Sequence, residues 1–210
     1  MRRGGSVVTF FWLFLAAGLP AAAQSSPGLL GYGSFGSTSF AASDSFDAVA
    51  DASSRRNVGG GAVVTGLWRG IFVDVGFSQS KVEGQRVFLH DGTVYDLGIP
   101  LEVAVAPIDV AAGWRLTRGR FSPYAGAGVT SLSYKETSDS QASGDELNVR
   151  KTGPLALAGL DVRLVKWIQV GAEVRYRAVE DILGSGGVSA SFGEDDAGGL
   201  SAGVRFSVGK

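Results

Sequence analysis

The chain has 210 residues, a net charge of −1, 32 glycines, one histidine and no cysteine. That length fits one domain, and so balanced a charge leaves no basic face for nucleic acid. The lack of cysteine excludes disulfides, thiolate metal sites, a lipoprotein anchor and a cysteine nucleophile.

In chain order, the first segment reads as an export signal. Arg2 and Arg3 precede an apolar run over 7–19, Pro20 breaks it, and Ala21, Ala22 and Ala23 offer a small-x-small cleavage site before Gln24. A membrane-anchor helix needs about 20 apolar residues, and this run is shorter. Residues 1–23 are expected to be a cleaved signal peptide, and 24–210 the mature domain.

From there the pattern alternates with a period of two, which places successive side chains on opposite faces of a strand. A first strand over 31–40 is rich in Gly and Ser, with Tyr32, Phe35 and Phe40. A polar loop, 41–57, leads to a second strand over 58–68, and Arg69-Gly70 makes a tiny connection. The third strand sets Ile71, Val73, Val75 and Phe77 against Asp74, Gly76, Ser78 and Ser80. Residues 82–98 read as a long excursion carrying a small hairpin, because Asp91-Gly92 between apolar runs suits a turn with positive φ.

The fourth strand, 99–116, holds Glu102 and Asp109 at opposite parity with Pro107 between them. Proline cannot donate to a ladder, so a bulge at Pro107 is expected to reset the register. After a tight turn over 117–120 comes a fifth strand, 121–135, and then a polar loop, 136–152. The sixth strand, 153–164, sets Ala156, Ala158, Leu160, Val162 and Leu164 against Asp161 and Arg163.

A short turn with Trp167 leads into the clearest strand, 168–180. One face is Ile168, Val170, Ala172, Val174, Tyr176 and Ala178; the other is Gln169, Gly171, Glu173, Arg175 and Arg177. A glycine-rich acidic loop, 181–198, precedes the last strand, 199–209, with Leu200, Ala202, Val204, Phe206 and Val208 opposite Ser201, Arg205 and Ser207.

These segments make an all-β chain, expected to close as an eight-stranded antiparallel up-and-down transmembrane β-barrel with short periplasmic turns and long extracellular loops. Alternation alone leaves the direction of the apolar face open. Strands of about 10 residues, the length that crosses hydrocarbon, and the short–long order of connections favour a membrane barrel. Trp68, Trp114 and Trp167 all stand beside short turns, with Phe72 and Phe121 near them. Indole prefers the headgroup zone, so these five are expected to form an interfacial girdle. The lumen then holds Asp74, Asp161, Arg163, Glu173, Arg175, Arg177 and Arg205, with Glu102 or Asp109 on either side of the bulge. Eight strands leave only enough interior for side chains, so these mixed charges read as a paired plug, the alternative being a gated ion path.

Phrases such as PYAGAGV (123–129), GAEVRYR (171–177) and the closing GLSAGVRFSV (199–208) resemble the small eight-stranded outer-membrane barrels, the outer membrane protein beta-barrel domain family. That group is typified by the transmembrane part of outer membrane protein A and its adhesin-like relatives. The resemblance implies a bacterial outer-membrane location, assembly by the barrel assembly machinery, and contact with outer-membrane lipids and lipopolysaccharide. Such barrels often finish on an aromatic residue, whereas this chain closes on Lys210 with Phe206 the nearest outward aromatic.

The expected role is non-enzymatic: a structural or adhesin-like monomer whose loops meet an extracellular ligand, with no cofactor, catalytic group or metal site. Two alternatives are a narrow channel or carrier for small hydrophobic molecules, and a lipid A-modifying enzyme using His90 with rim serines. Gly-rich strings near 58–61 and 184–187 lack the Lys-Ser/Thr of a phosphate loop. The run Glu194, Asp195 and Asp196 lacks the spaced ligands of a calcium loop and reads as solvated surface. The four long loops carry 14 acids and 5 bases, whereas the short turns and C-terminus carry Arg69, Arg118, Arg120, Lys166 and Lys210.

Overall fold

A computed structural model describes residues 27–50, 53–90, 93–138, 147–183 and 187–210. The expected signal peptide and the Asp91-Gly92 turn lie outside the described residues. The strands are β1 (Gly28–Phe40), β2 (Ser54–Leu67), β3 (Ile71–His90), β4 (Thr93–Arg115), β5 (Phe121–Ser138), β6 (Leu147–Val165), β7 (Ile168–Arg177) and β8 (Gly199–Gly209). Each pairs antiparallel with its neighbours, and β1 pairs with β8, so the sheet closes on itself in the order β1 to β8. Closure leaves no edge inside the bilayer, which is what a strand needs where no water can satisfy its backbone.

The side chains sort as an inside-out protein. On β7, Gln169, Arg175 and Arg177 are buried, while Val174 and Tyr176 are 44% and 53% exposed. On β8, Ser201, Arg205 and Ser207 are buried beneath an outer row of Leu200, Val204, Phe206 and Val208. With Phe35, Phe77, Ile108 and Val129, that row belongs to a continuous apolar belt. A soluble monomer rarely leaves a patch of this size to water; hydrocarbon is the solvent it fits.

The short-turn end is tightly built. The β4–β5 connection ends in a two-residue hairpin loop, Gly119-Arg120, closed by reciprocal backbone bonds between Arg118 and Phe121 of 2.8 and 3.1 Å. Gly119 has φ 62°, and glycine at the first central position is what a type II′ turn demands.

The loop end departs from the sequence expectation in three ways. Residues 82–98 are not an excursion from the wall: β3 and β4 run on as one ladder from Ile71↔Trp114 to His90↔Thr93, with a single irregularity near Arg86. At 20 and 23 residues these strands are about twice what crossing the membrane requires, so their far halves stand in water. Second, there is no bulge at Pro107, because the β4–β5 register is unbroken from Leu101↔Ser138 to Arg115↔Tyr124. Asp109 faces the lumen, and Glu102 faces out, beyond the belt, where Lys81 donates to it at 2.8 Å. That hydrogen bond holds the Lys81 ammonium above its usual range. Third, the loop after β1 contains a helix, α1 (Ser43–Ala50), and the last long connection a six-residue helix, α2 (Gly187–Phe192).

Polarity therefore inverts along β4. Its inward row reads Arg115, Gly113, Ala111, Asp109, Pro107, Val105, Val103, Leu101 toward the outside, with its charges in the membrane and an apolar run above it. The last three join Phe40, Phe46 of α1, Val82, Leu132, Tyr134, Val179, Ile182 and Ala197 in a buried cluster over the barrel mouth. Phe40 and Phe46 stack with ring centroids 4.0 Å apart. Where the outer wall meets water instead of lipid, the ordinary rule of an apolar interior returns.

Candidate functional site

The region that decides what this barrel can do is the lumen between the short turns and that apolar cap. Four arginines and four carboxylates meet there. Arg175 is the hub: Nε donates to Glu173 at 2.7 Å, Nη1 to Asp109 at 2.9 Å and Nη2 to Asp74 at 3.0 Å. Arg177 binds both oxygens of Asp109, at 3.0 and 2.6 Å, and reaches Ser201 at 2.8 Å. Nearer the short turns, Arg205 reaches Asp161 at 2.8 Å, Glu173 at 3.2 Å and Asp74 at 3.5 Å. Arg115 donates to Asp161 at 2.7 Å and to Gln169 at 2.5 Å.

Two tyrosines complete the set. The Tyr32 hydroxyl donates to Asp74 at 3.0 Å and accepts from Arg175, and the Tyr124 hydroxyl donates to Glu173 at 2.8 Å. The Arg205 guanidinium lies 4.7 Å from the Tyr32 ring centroid and 4.8 Å from that of Tyr124. It is thus held by charge and by ring faces together. Inward glycines make room: a Cβ at Gly171 would strike the Asp161 carboxylate, and one at Gly159 the Tyr124 ring.

Taken out of water singly, each charge would cost several kcal/mol; paired and hydrogen-bonded on several sides they are tolerable. The four and four cancel, so the plug is neutral. Two voids border this network, one of about 40 Å³ beside Tyr32, Glu173, Arg175 and Arg205, and one of about 10 Å³ between Arg177 and the cap residues Phe40 and Leu132. The larger has room for a few waters at most.

Of the lumen residues read from sequence, Asp74, Asp161, Glu173, Arg175, Arg177 and Arg205 come together in this network. Arg163 has inward parity but sits half-buried at the short-turn mouth, with no ion pair among the described residues. Trp68, Trp114, Trp167 and Phe121 stand outward at that rim, 72%, 64%, 55% and 56% exposed. Phe72 does not belong to this girdle. It shares the parity of Asp74, is 2% exposed and packs edge-on to Tyr124 inside the lumen, with ring centroids 5.8 Å apart. Arg115, Tyr32 and Tyr124 are the members the sequence reading passed over, and Gln169, placed on the polar face of its strand, joins them as the partner of Arg115. Arg115 and Asp109 share a parity on β4, which was the available signal.

The other sequence candidates sit apart. His90 ends β3 opposite Thr93, and its side chain lies outside the described residues. In the acidic run, Glu194 accepts the Asp44 amide at 3.1 Å and the Ser45 amide and hydroxyl at 2.8 and 2.6 Å, capping α1 from the far end of the chain. Asp196 accepts the amides of Val179 and Gly198 at 2.8 and 2.6 Å. These carboxylates fasten the cap over the barrel rather than lying idle in solvent.

Among solved structures, Neisserial surface protein A (NspA) is similar, with a TM-score of 0.51 and 9% identity over 87% of this chain and 95% of that one. OprG from Pseudomonas aeruginosa scores 0.48 at 11% identity, covering 89% and 97%. Ail, the attachment invasion locus protein of Yersinia pestis, scores 0.47 at 12%, covering 87% and 96%. At such identities the likeness concerns the fold alone. Comparison with curated proteins returns no match. Residues 9–207 match the outer membrane protein beta-barrel domain. With its closed eight-stranded wall and lipid-facing belt, the chain belongs to that family, and its place is the bacterial outer membrane.

Proposed function

We propose that this protein is a non-enzymatic outer-membrane barrel with a structural or adhesin-like role, exported through a cleaved signal peptide. Its shut wall presents a rigid outer platform to ligands. The observation that carries this reading is the double closure of the interior, by the neutral Arg–carboxylate plug and by the apolar cap pinned through Glu194 and Asp196. A transporter would have to carry its cargo past both the plug and the cap.

The acidic outer surface faces anionic lipopolysaccharide, and divalent cations bridge the two in this reading. Chelation should then lower the barrel's thermal stability in lipopolysaccharide-containing bilayers; an unchanged melting point would refute the bridge. The closure itself is tested in planar bilayers. The purified chain is expected to give no steady openings, and reproducible ion-selective conductance would favour a channel instead. For the surface role, cells displaying the chain should bind immobilised extracellular ligands, and variants with shortened β3–β4 extensions should lose that binding.

A further inference from the structure

The charge distribution along the barrel axis carries a second reading, independent of the surface role. Of the 20 acidic residues in the sequence, four are lumen members, and none of the others lies at the short-turn end among the described residues. That end presents Arg69, Arg118, Arg120, Lys166 and Lys210, all exposed, with Arg163 half-buried at the mouth. Its nearest carboxylate side chain, Asp161, is 1% exposed and already held by Arg115 and Arg205.

These cations are fixed beside the aromatic rim. The Arg69 guanidinium lies 4.7 Å from the Trp68 ring centroid. Arg118 and Arg120 flank the closed Gly119 turn, and the Arg120 carbonyl accepts the Arg163 amide at 2.7 Å. Lys166 adjoins Trp167, whose carbonyl accepts the Gly209 amide at 3.0 Å, while Lys210 is tied to Leu29 through paired backbone bonds of 2.8 and 3.2 Å. Just above stand outward Leu29, Phe121 and Leu164, each more than half exposed.

An apolar wall ending in indoles and then in cations matches one occupant by chemistry: a bilayer lipid whose acyl chain lies along the wall and whose headgroup carries uncompensated negative charge. Long Arg and Lys stems snorkel to that level, and a juxtamembrane cation is worth about 1 kcal/mol against an anionic surface. We propose that the short-turn end is a collar that selects anionic phospholipids, over zwitterionic ones, in the inner leaflet of the outer membrane.

The tryptophans make this measurable, because those of residues 24–210 are Trp68, Trp114 and Trp167 alone, all at this rim. Residues 28–209 close the barrel, so the chain from Gln24 is refolded into vesicles of phosphatidylcholine. Either brominated phosphatidylglycerol or brominated phosphatidylcholine is then added as a quencher of indole fluorescence. The collar predicts that the anionic quencher binds about fivefold more strongly, the factor equal to ~1 kcal/mol. It also predicts that salt near 1 M, where screening falls to about 3 Å, reduces this preference. Arg118→Gln with Arg120→Gln, and separately Lys166→Gln with Lys210→Gln, should each lower it, while Lys81→Gln at the far end leaves it intact. Equal quenching by both lipids in the unsubstituted chain overturns the proposal, as does a preference that survives both pairs of substitutions in folded protein. The salt titration needs no variant and stands if one fails to fold.

Discussion

Replacing Arg205 by Met tests the plug at its most enclosed arginine. The residue is 1% exposed, touches Asp161, Glu173 and Asp74, and lies between two tyrosine rings. Methionine fills much of the same volume but leaves four carboxylates facing three arginines. Removing one partner of a buried ion pair costs about 3–5 kcal/mol, and the lost ring contacts are part of that loss. Adding Asp161→Asn restores neutrality and keeps an acceptor for Arg115, so the double variant should be more stable than the sum of the single losses implies, with a coupling of about 1–3 kcal/mol. Urea unfolding in lipid vesicles, followed by tryptophan fluorescence, reads both. An Arg205→Met loss below about 1 kcal/mol, or strict additivity in the pair, would refute a mutually dependent network.

Phe72→Ala should cost about 3–5 kcal/mol by opening a lumen cavity, whereas Phe121→Ala at the rim should cost less than half as much by the same assay; the reverse ranking would return Phe72 to the girdle. Glu194→Ala should weaken α1 by about 1 kcal/mol, seen as faster amide exchange over 43–50 with the wall unchanged. Ile182 is fully buried in the cap, so Ile182→Asp should expose the outer connections to protease while the heat-modifiable gel shift of the barrel persists. Protection equal to that of the parent chain would show that the cap is not one packed unit.

Within the membrane the architecture was legible through one rule, that charges point inward and the lipid-facing rows are apolar, although Leu30, Val63, Phe72, Leu155 and Leu157 also pack inside. β7 and β8 satisfy it residue by residue. Phe72 was misread because its nearness to a short turn was given more weight than its parity with Asp74. Above the membrane the rule reverses, which is why Glu102 and Asp109 looked incompatible on one strand and a bulge at Pro107 was inferred. The strand is regular; only the solvent outside it changes. Arg115 escaped notice behind the neighbouring Trp114. Tyr32 and Tyr124, set among small residues, gave no sign that their hydroxyls would complete a charge network. The capping role of Glu194 joins residues 150 positions apart, which no local pattern encodes.

The central claim is an interior of paired charges inside a lipid-facing apolar wall, and the absence of cysteine allows it to be tested by single introduced thiols. Ala172→Cys, Val174→Cys and Val204→Cys sample the outward rows of β7 and β8, and Ser201→Cys and Ser207→Cys the inward row of β8. With a fluorophore on each outward thiol, lipid-borne quenchers should reach all three sites in the folded barrel. The two inward thiols should resist labelling until the protein is boiled. Lipid access at 201 and 207, with 174 and 204 shielded, would contradict the account.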